Sequence, residues 1–264
     1  MQIRDDERID EINEYLKIIQ KTDGLTFTTD AYLLAAFVSG RHERCADLGS
    51  GTGVVSLLCV QKDKAGAVYA IERREELAEL IARNAGLNSL SDRISALCAD
   101  VREIGRKDVG GALDAVFANP PYFRAGAGLA ARSEKLREAR FEEHGTFADF
   151  AACAARLLRG GGSFYVVHRA DRITDVLCGM RGAGIEPKRL LVVYPDAASS
   201  PNLLLVEGKK GAGAGLVVAP PLVMYETAAS SAGDAASAAR RYTPELDRVY
   251  ENCSLDFMFE RSAK

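Results

Sequence analysis

The spacing of apolar residues changes period repeatedly along this chain, and each change marks an element. From Arg44 onward, short and nearly continuous apolar runs alternate with stretches in which apolar residues recur at helical spacing. The runs Cys45–Leu48, Ala67–Ile71, Ile94–Cys98, Leu113–Ala118, Ser163–Val167, Leu190–Tyr194 and Leu203–Glu207 predict seven strands. Between them, helical spacing predicts helices over Val54–Gln61, Glu75–Ala85, Phe147–Leu158 and Ile173–Arg181. Gly86, the Gly160–Gly162 run and Gly182 supply stops for the last three. Thr146 and Asp149 have the spacing of a capping box at the start of the Phe147 helix. Further upstream, Asp30 is a suitable N-cap for an apolar helix from Ala31 to Val38. The residues through Glu14, rich in Asp and Glu, predict a solvated segment.

Strands that are apolar on both faces must be covered on both, which implies a parallel sheet between two helical layers. The last two strands depart from this rule. Only residues 195–202 separate them, too few for a helical crossover, so they predict an antiparallel hairpin. The expected fold is therefore α/β and Rossmann-like: a mostly parallel seven-stranded sheet ending in an antiparallel hairpin, with helices on both faces. Three regions are expected. Residues 1–40 form an N-terminal segment packing on the core and cofactor site, and 41–225 form the main domain. In residues 226–264, an Ala/Ser/Gly-rich linker from Thr227 to Ala239 precedes a short helix near Pro244–Tyr250.

Composition narrows the function classes. With 264 residues, 47% of them hydrophobic, the chain can bury one sizeable core. A net charge of −3 excludes a polycation held on nucleic acid by bulk charge, so any such partner must meet a local basic surface. The six cysteines show no C-x-x-C spacing and read as reduced core residues. His42, His144 and His168 are too dispersed for a metal site, and none is expected. No apolar stretch approaches the roughly 18 residues of a membrane span. A cytoplasmic protein is expected, with no membrane contact and as a monomer.

Two motifs carry chemistry. Asp47-Leu48-Gly49-Ser50-Gly51-Thr52-Gly53 stands where the first strand passes into its helix, and its glycines allow a tight turn and close approach of the backbone to a ligand. Glu72 ends the second strand, where an acid can accept both ribose hydroxyls of a nucleoside. Asp100 ends the third and is placed for an adenine amino group. A pyrophosphate wants G-x-G-x-x-G and open amides. Here the third glycine comes a residue early, and the Asp47 charge suits a sulfonium or ammonium better than a phosphate. S-adenosylmethionine fits better than NAD. The candidate cofactor residues are Thr28, Asp30, Asp47, Gly49, Ser50, Gly51, Gly53, Glu72, Arg73, Asp100, Val101 and Asn119.

The second motif, Asn119-Pro120-Pro121-Tyr122, closes the fourth strand. Consecutive prolines fix φ and donate no N–H, so they make a stiff ledge with free carbonyls. An aromatic amine is a poor nucleophile because its lone pair is delocalised. The Asn119 amide oxygen and the Pro120 carbonyl can accept its two hydrogens and aim the nitrogen, while Tyr122 stacks the ring. Asn119, Pro120, Pro121 and Tyr122 are the candidate catalytic residues for methyl transfer onto a planar amine.

Phe27-Thr28-Thr29-Asp30-Ala31, Asp47–Val54, Asn119–Tyr122, Ala139-Arg140, His168–Ile173 and Ile185–Leu190 together resemble the bacterial tRNA (valine-acceptor) adenine-N6 methyltransferases. Val206-Glu207-Gly208 and Pro220-Pro221 also fit, and the likeness runs from about Tyr15 to Tyr225. It implies the class I methyltransferase fold and S-adenosylmethionine held by Asp47, Gly49, Gly51, Glu72 and Asp100. It also implies tRNA as substrate, with the target adenine beside the anticodon at Asn119–Tyr122. Arg124, Arg132, Lys135, Arg137 and Arg140 follow the ledge and, with Arg169, are candidate contacts to RNA phosphates. Competing targets for the same ledge are a protein glutamine, a DNA adenine or an rRNA guanine N2. A catalytically idle RNA-binding protein of the same fold is the rival from another class.

Overall fold

The computed structural model describes residues 3–22, 29–121, 145–226 and 241–260. An N-terminal hairpin of β1 (Glu7–Glu11) and β2 (Lys17–Lys21) precedes α1 (Thr29–Phe37). Then follow β3 (His42–Leu48), α2 (Val54–Gln61), β4 (Ala65–Glu72), α3 (Glu75–Leu87), β5 (Ile94–Cys98) and β6 (Leu113–Ala118). The second half comprises α4 (Phe147–Leu157), β7 (Leu158–Arg169), α5 (Ile173–Gly182), β8 (Ile185–Tyr194) and β9 (Leu203–Lys210). Two short strands, β10 (Val217–Val218) and β11 (Leu222–Val223), and helices α6 (Pro244–Asn252) and α7 (Phe257–Glu260) complete the described chain.

The central sheet runs β10-β8-β9-β7-β6-β3-β4-β5, with β11 also paired to β8. From β7 across to β5 every pairing is parallel. β9 lies antiparallel between β7 and β8, so the hairpin expected from the short connection forms. The two short strands on β8 widen the expected seven strands to nine. Alternate residues of the inner strands point to opposite layers. Cys45, Ala115 and Phe117 join the layer of α1, α2 and α3, whereas Ala46, Val116 and Ala118 join that of α4 and α5. The Gly160–Gly162 run does not stop a helix before a separate strand. β7 already begins at Leu158 and carries the glycines through a register shift opposite β6.

The acidic N-terminus is folded, against expectation. Glu7 accepts from Arg83 of α3 through both oxygens, at 2.7 and 2.8 Å. On β2, Ile18 and Ile19 are fully buried. The free edge of β2 meets two asparagines one helical turn apart instead of another strand. Ile19 N–H donates to Asn84 Oδ1 at 2.7 Å and Lys17 N–H to Asn88 Oδ1 at 2.9 Å. Both amides donate back, to the Ile19 and Lys17 carbonyls.

At the other end, Leu246, Val249, Cys253 and Leu255 are buried in the α1 layer. Arg189 ties this segment down, pairing with Glu207 at 3.2 Å and Asp256 at 3.1 Å while lying 3.9 Å from the Phe259 ring centre. The Ala/Ser/Gly-rich linker lies outside the described residues. All cysteines are free; Cys45, Cys59, Cys153 and Cys253 are core residues as expected, but Cys98 and Cys178 are exposed. Among the described residues no helix is long and apolar enough to cross a membrane.

Candidate active site at the carboxyl end of the sheet

The strand order turns at β3, which has β4 on one side and β6 on the other, so a crevice opens beyond its carboxyl end. Leu48 of β3 pairs with Ala118 of β6 and with Ile71 of β4. The glycine loop and the proline ledge therefore leave the sheet from adjacent strands at the same level. In the loop, Gly49, Gly51 and Gly53 have φ of +67°, +58° and +88°, a region that side chains strain to enter. A Cβ on Gly49 would also stand 3.2 Å from the Phe150 ring. The Gly49 and Ser50 N–H groups both donate to the Ile71 carbonyl, at 2.9 and 3.0 Å, which pins the loop to the end of β4.

Three acids converge on this loop or its neighbours. Asp47 is buried and accepts from the Ser50 hydroxyl at 2.8 Å and the Ser56 hydroxyl at 2.7 Å. Burial raises its carboxyl pKa, and the two hydroxyls oppose that rise. Glu72 is buried as well. One oxygen accepts from Gly51 N–H at 3.0 Å and the other from Arg74 N–H at 3.0 Å. It is thus part of the loop's own scaffold. Asp100 is held by Arg102, whose backbone N–H and Nε both reach Oδ1 at 2.9 Å and whose Nη2 reaches Oδ2 at 2.6 Å. That guanidinium keeps the Asp100 carboxyl below the ordinary carboxylate range. Val101 beside it is buried and its carbonyl accepts from Arg156 at 2.7 Å; Arg73 is exposed.

Asn119 follows β6 directly and is half-buried, like Pro121, while Pro120 is buried between them. Tyr122 and Thr28 lie outside the described residues, as do Arg124, Arg132, Lys135, Arg137 and Arg140. Asp30 does not cap α1 from outside, because the helix begins at Thr29, two residues before the expected Ala31, and takes Asp30 into its first turn. A carboxylate there still complements the helix dipole. Arg169 is bound bidentately to Asp171, at 3.0 and 2.6 Å, so its charge is already matched.

Four residues of the site were not foreseen. Ser56 shares the Asp47 carboxylate with Ser50, and Phe150 lies across Gly49. Asn84 donates to the Thr52 carbonyl at 3.0 Å while holding β2, which couples the N-terminal hairpin to the glycine loop. Arg102 holds Asp100. Only Arg102 left a local signal, a cation two residues past a strand-end acid; the others act across 9 to 101 residues of chain.

The family model described as the TRM5/TYW2 methyltransferase domain matches residues 33–127, from α1 through the proline ledge. The chain is 28% identical over 179 residues to a tRNA1(Val) (adenine(37)-N6)-methyltransferase of Bacteroides fragilis (strain YCH46), spanning 67% of this chain and 74% of the relative. It is 28% identical over 186 residues to the protein of that name from Porphyromonas gingivalis (strain ATCC 33277), spanning 68% and 72%. Among solved structures, it is similar to a predicted O-methyltransferase, protein Atu636 from Agrobacterium tumefaciens. The TM-score is 0.66 at 26% identity, covering 86% of this chain and 97% of that one.

Proposed function

We propose that this chain, a homologue of the tRNA1(Val) (adenine(37)-N6)-methyltransferases built on the Rossmann-like class I fold, is an S-adenosylmethionine-dependent tRNA methyltransferase. Its target is the exocyclic N6 of an adenine, position 37 as in the names of those relatives. Such a reaction belongs in the cytoplasm, where tRNA is modified. One observation carries the reading: the Asn119-Pro120-Pro121 ledge leaves β6 beside the glycine loop of β3, at paired residues Ala118 and Leu48.

The residues fit this cofactor better than a dinucleotide. The Gly51 N–H, one of the amides a phosphate would need, is already donated to Glu72. Asp47 and Glu72 set two carboxylates at the loop, which oppose a phosphate and suit a cation. Glu72 would hold the ribose and Asp100 the adenine amino group. When bound, S-adenosylmethionine supplies an electrophilic methyl group on a sulfonium. The chain's own work is on the target amine. Asn119 Oδ1 and the Pro120 carbonyl accept its two N–H groups, which draws the nitrogen toward tetrahedral geometry and fixes its direction. No charged base is needed, because the proton can leave to water after transfer.

Mass spectrometry of nucleosides from bulk tRNA tests this directly. A strain lacking the gene should lose N6-methyladenosine, and the purified protein should restore it with S-adenosylmethionine. Unchanged N6-methyladenosine in that strain, with methylation of another nucleoside or of protein by the purified enzyme, would overturn the substrate.

A further inference from the structure

Four tyrosines form a ladder of rings from the core to the surface at the same end of the sheet as the ledge. Tyr32 of α1 is buried and lies 4.8 Å, centre to centre, from Tyr250 of α6. Tyr250 is 5.4 Å from Tyr242, and Tyr242 is 5.5 Å from Tyr225. Backbone bonds keep the outer rungs in place: Tyr225 and Tyr242 bridge as an antiparallel pair, and the Tyr225 N–H donates to the Pro195 carbonyl at 2.9 Å. A hydrogen bond also fixes the inner rungs. The Tyr32 hydroxyl donates to the Tyr250 carbonyl at 2.8 Å.

We infer that the outer rungs, Tyr242 with Tyr225, stack an unpaired base of the RNA substrate a few nucleotides from the one being methylated. This rests on the tRNA reading given above. Tyr242 keeps 43% of its surface in water. Exposed rings already held in a stack are suited to bases, because every base presents a π face and no ordering of the platform remains to be done. Arg241, exposed and adjacent in sequence, adds a cation for the phosphate. Position agrees. Tyr225 follows β11, which runs beside the carboxyl end of β8, and Asn119 follows the carboxyl end of β6. β7, β9 and β8 lie between β6 and β11, four inter-strand steps or about 19 Å. That is a distance a loop of RNA spans with a few nucleotides.

The test compares Tyr242→Ala and Tyr242→Phe in methylation of an unmodified tRNA transcript. The Ala variant should raise KM for tRNA by about fivefold to tenfold, with kcat, cofactor affinity and Tm near wild type. The Phe variant, which keeps the ring, should stay within about twofold. If Ala disturbs folding, Tyr242→Leu keeps bulk without a π face and should behave as Ala does. A normal KM in the Ala or Leu variant overturns the inference, as does a Phe variant as weak as Ala. Binding without turnover separates this from the functional reading. The chain has 9 Tyr and no Trp, so base stacking should quench its tyrosine emission. Quenching that Tyr242→Ala reduces, in a protein that methylates no tRNA, would sink the enzyme's assignment and leave the platform standing. Full methylation with unaltered quenching in the variant would do the reverse.

Discussion

The two ends of the central sheet are built from opposite chemistry. At the amino end, cations are matched to backbone carbonyls. Lys64 Nζ donates to Ala35, Ala36 and Val38 at 2.9, 3.0 and 2.7 Å, closing the last turn of α1. Lys210 does the same for Ala155 and Leu158 at the end of α4, joined by Arg106 on Arg156 and Leu158. Arg93 holds the Ala65 and Gly66 carbonyls at the start of β4. Each fills acceptors that a helix terminus or strand entry leaves open, and those at α1 and α4 also meet the negative end of a helix dipole. At the carboxyl end the signs reverse. Acids accept from loop amides and hydroxyls, and Asn119 with its proline ledge offers more acceptors. One end is satisfied within the chain; the other is an acceptor-rich crevice suited to a cationic donor and an amino group.

Asn119→Ala breaks the comparison hardest at the reacting end. Methyl transfer should fall by at least a hundredfold, equivalent to about 3 kcal/mol of barrier. Cofactor affinity measured by calorimetry should stay within about threefold, because Asp47, Glu72 and Asp100, the acids assigned to the cofactor, stand on or after other strands. A variant with ordinary turnover would remove Asn119 from the chemistry.

Lys64→Met should do the converse. Three carbonyls lose the donor that half-buried Lys64 supplies, at a cost of about 2–3 kcal/mol. Thermal unfolding should fall by roughly 5–10 °C, with kcat intact at temperatures where the protein stays folded. A loss of kcat without a fall in Tm would mean that the two ends are coupled.

The same contrast explains what was legible in the chain. Parallel strands are continuous apolar runs ended by turn residues, so β3 through β9 and the helices between them stand out. The glycine loop and the Asn-Pro-Pro ledge are contiguous and chemically unusual, and both were read with their neighbours. The hairpin at residues 7–21 was hidden because Glu7 and Asp10 look solvated until Arg83 and Gln20 are brought to them. Asn84 was hidden for a related reason: its work is on the backbone of Ile19 and Thr52, which carries no side-chain signature. Asp100 follows its strand as the sequence predicts, but the grip of Arg102 on it depends on how the chain turns after that strand.

The hairpin fastening supplies the smallest effect and a sharper probe, because one partner titrates. The guanidinium of Arg83 holds the Glu7 carboxyl at about 2, against an ordinary value of 4.5. A depressed carboxylate stabilises the fold fully above the unfolded value, and the contribution is lost as pH falls from about 4.5 toward 2. Glu7→Gln should therefore be less stable than the parent by about 1–2 kcal/mol at pH 7. That gap should close as the urea midpoints of both proteins are followed from pH 5 down to the lowest pH at which they fold. Groups titrating elsewhere, such as Asp100 and Asp114, are common to both proteins and cancel in the difference. The lysine and arginine caps of the amino end stay charged across this range, so Lys64→Met should keep a constant deficit against the parent. A gap for Glu7→Gln that does not narrow with acid would show that the pair holds the hairpin by packing and neutral hydrogen bonds, not by charge.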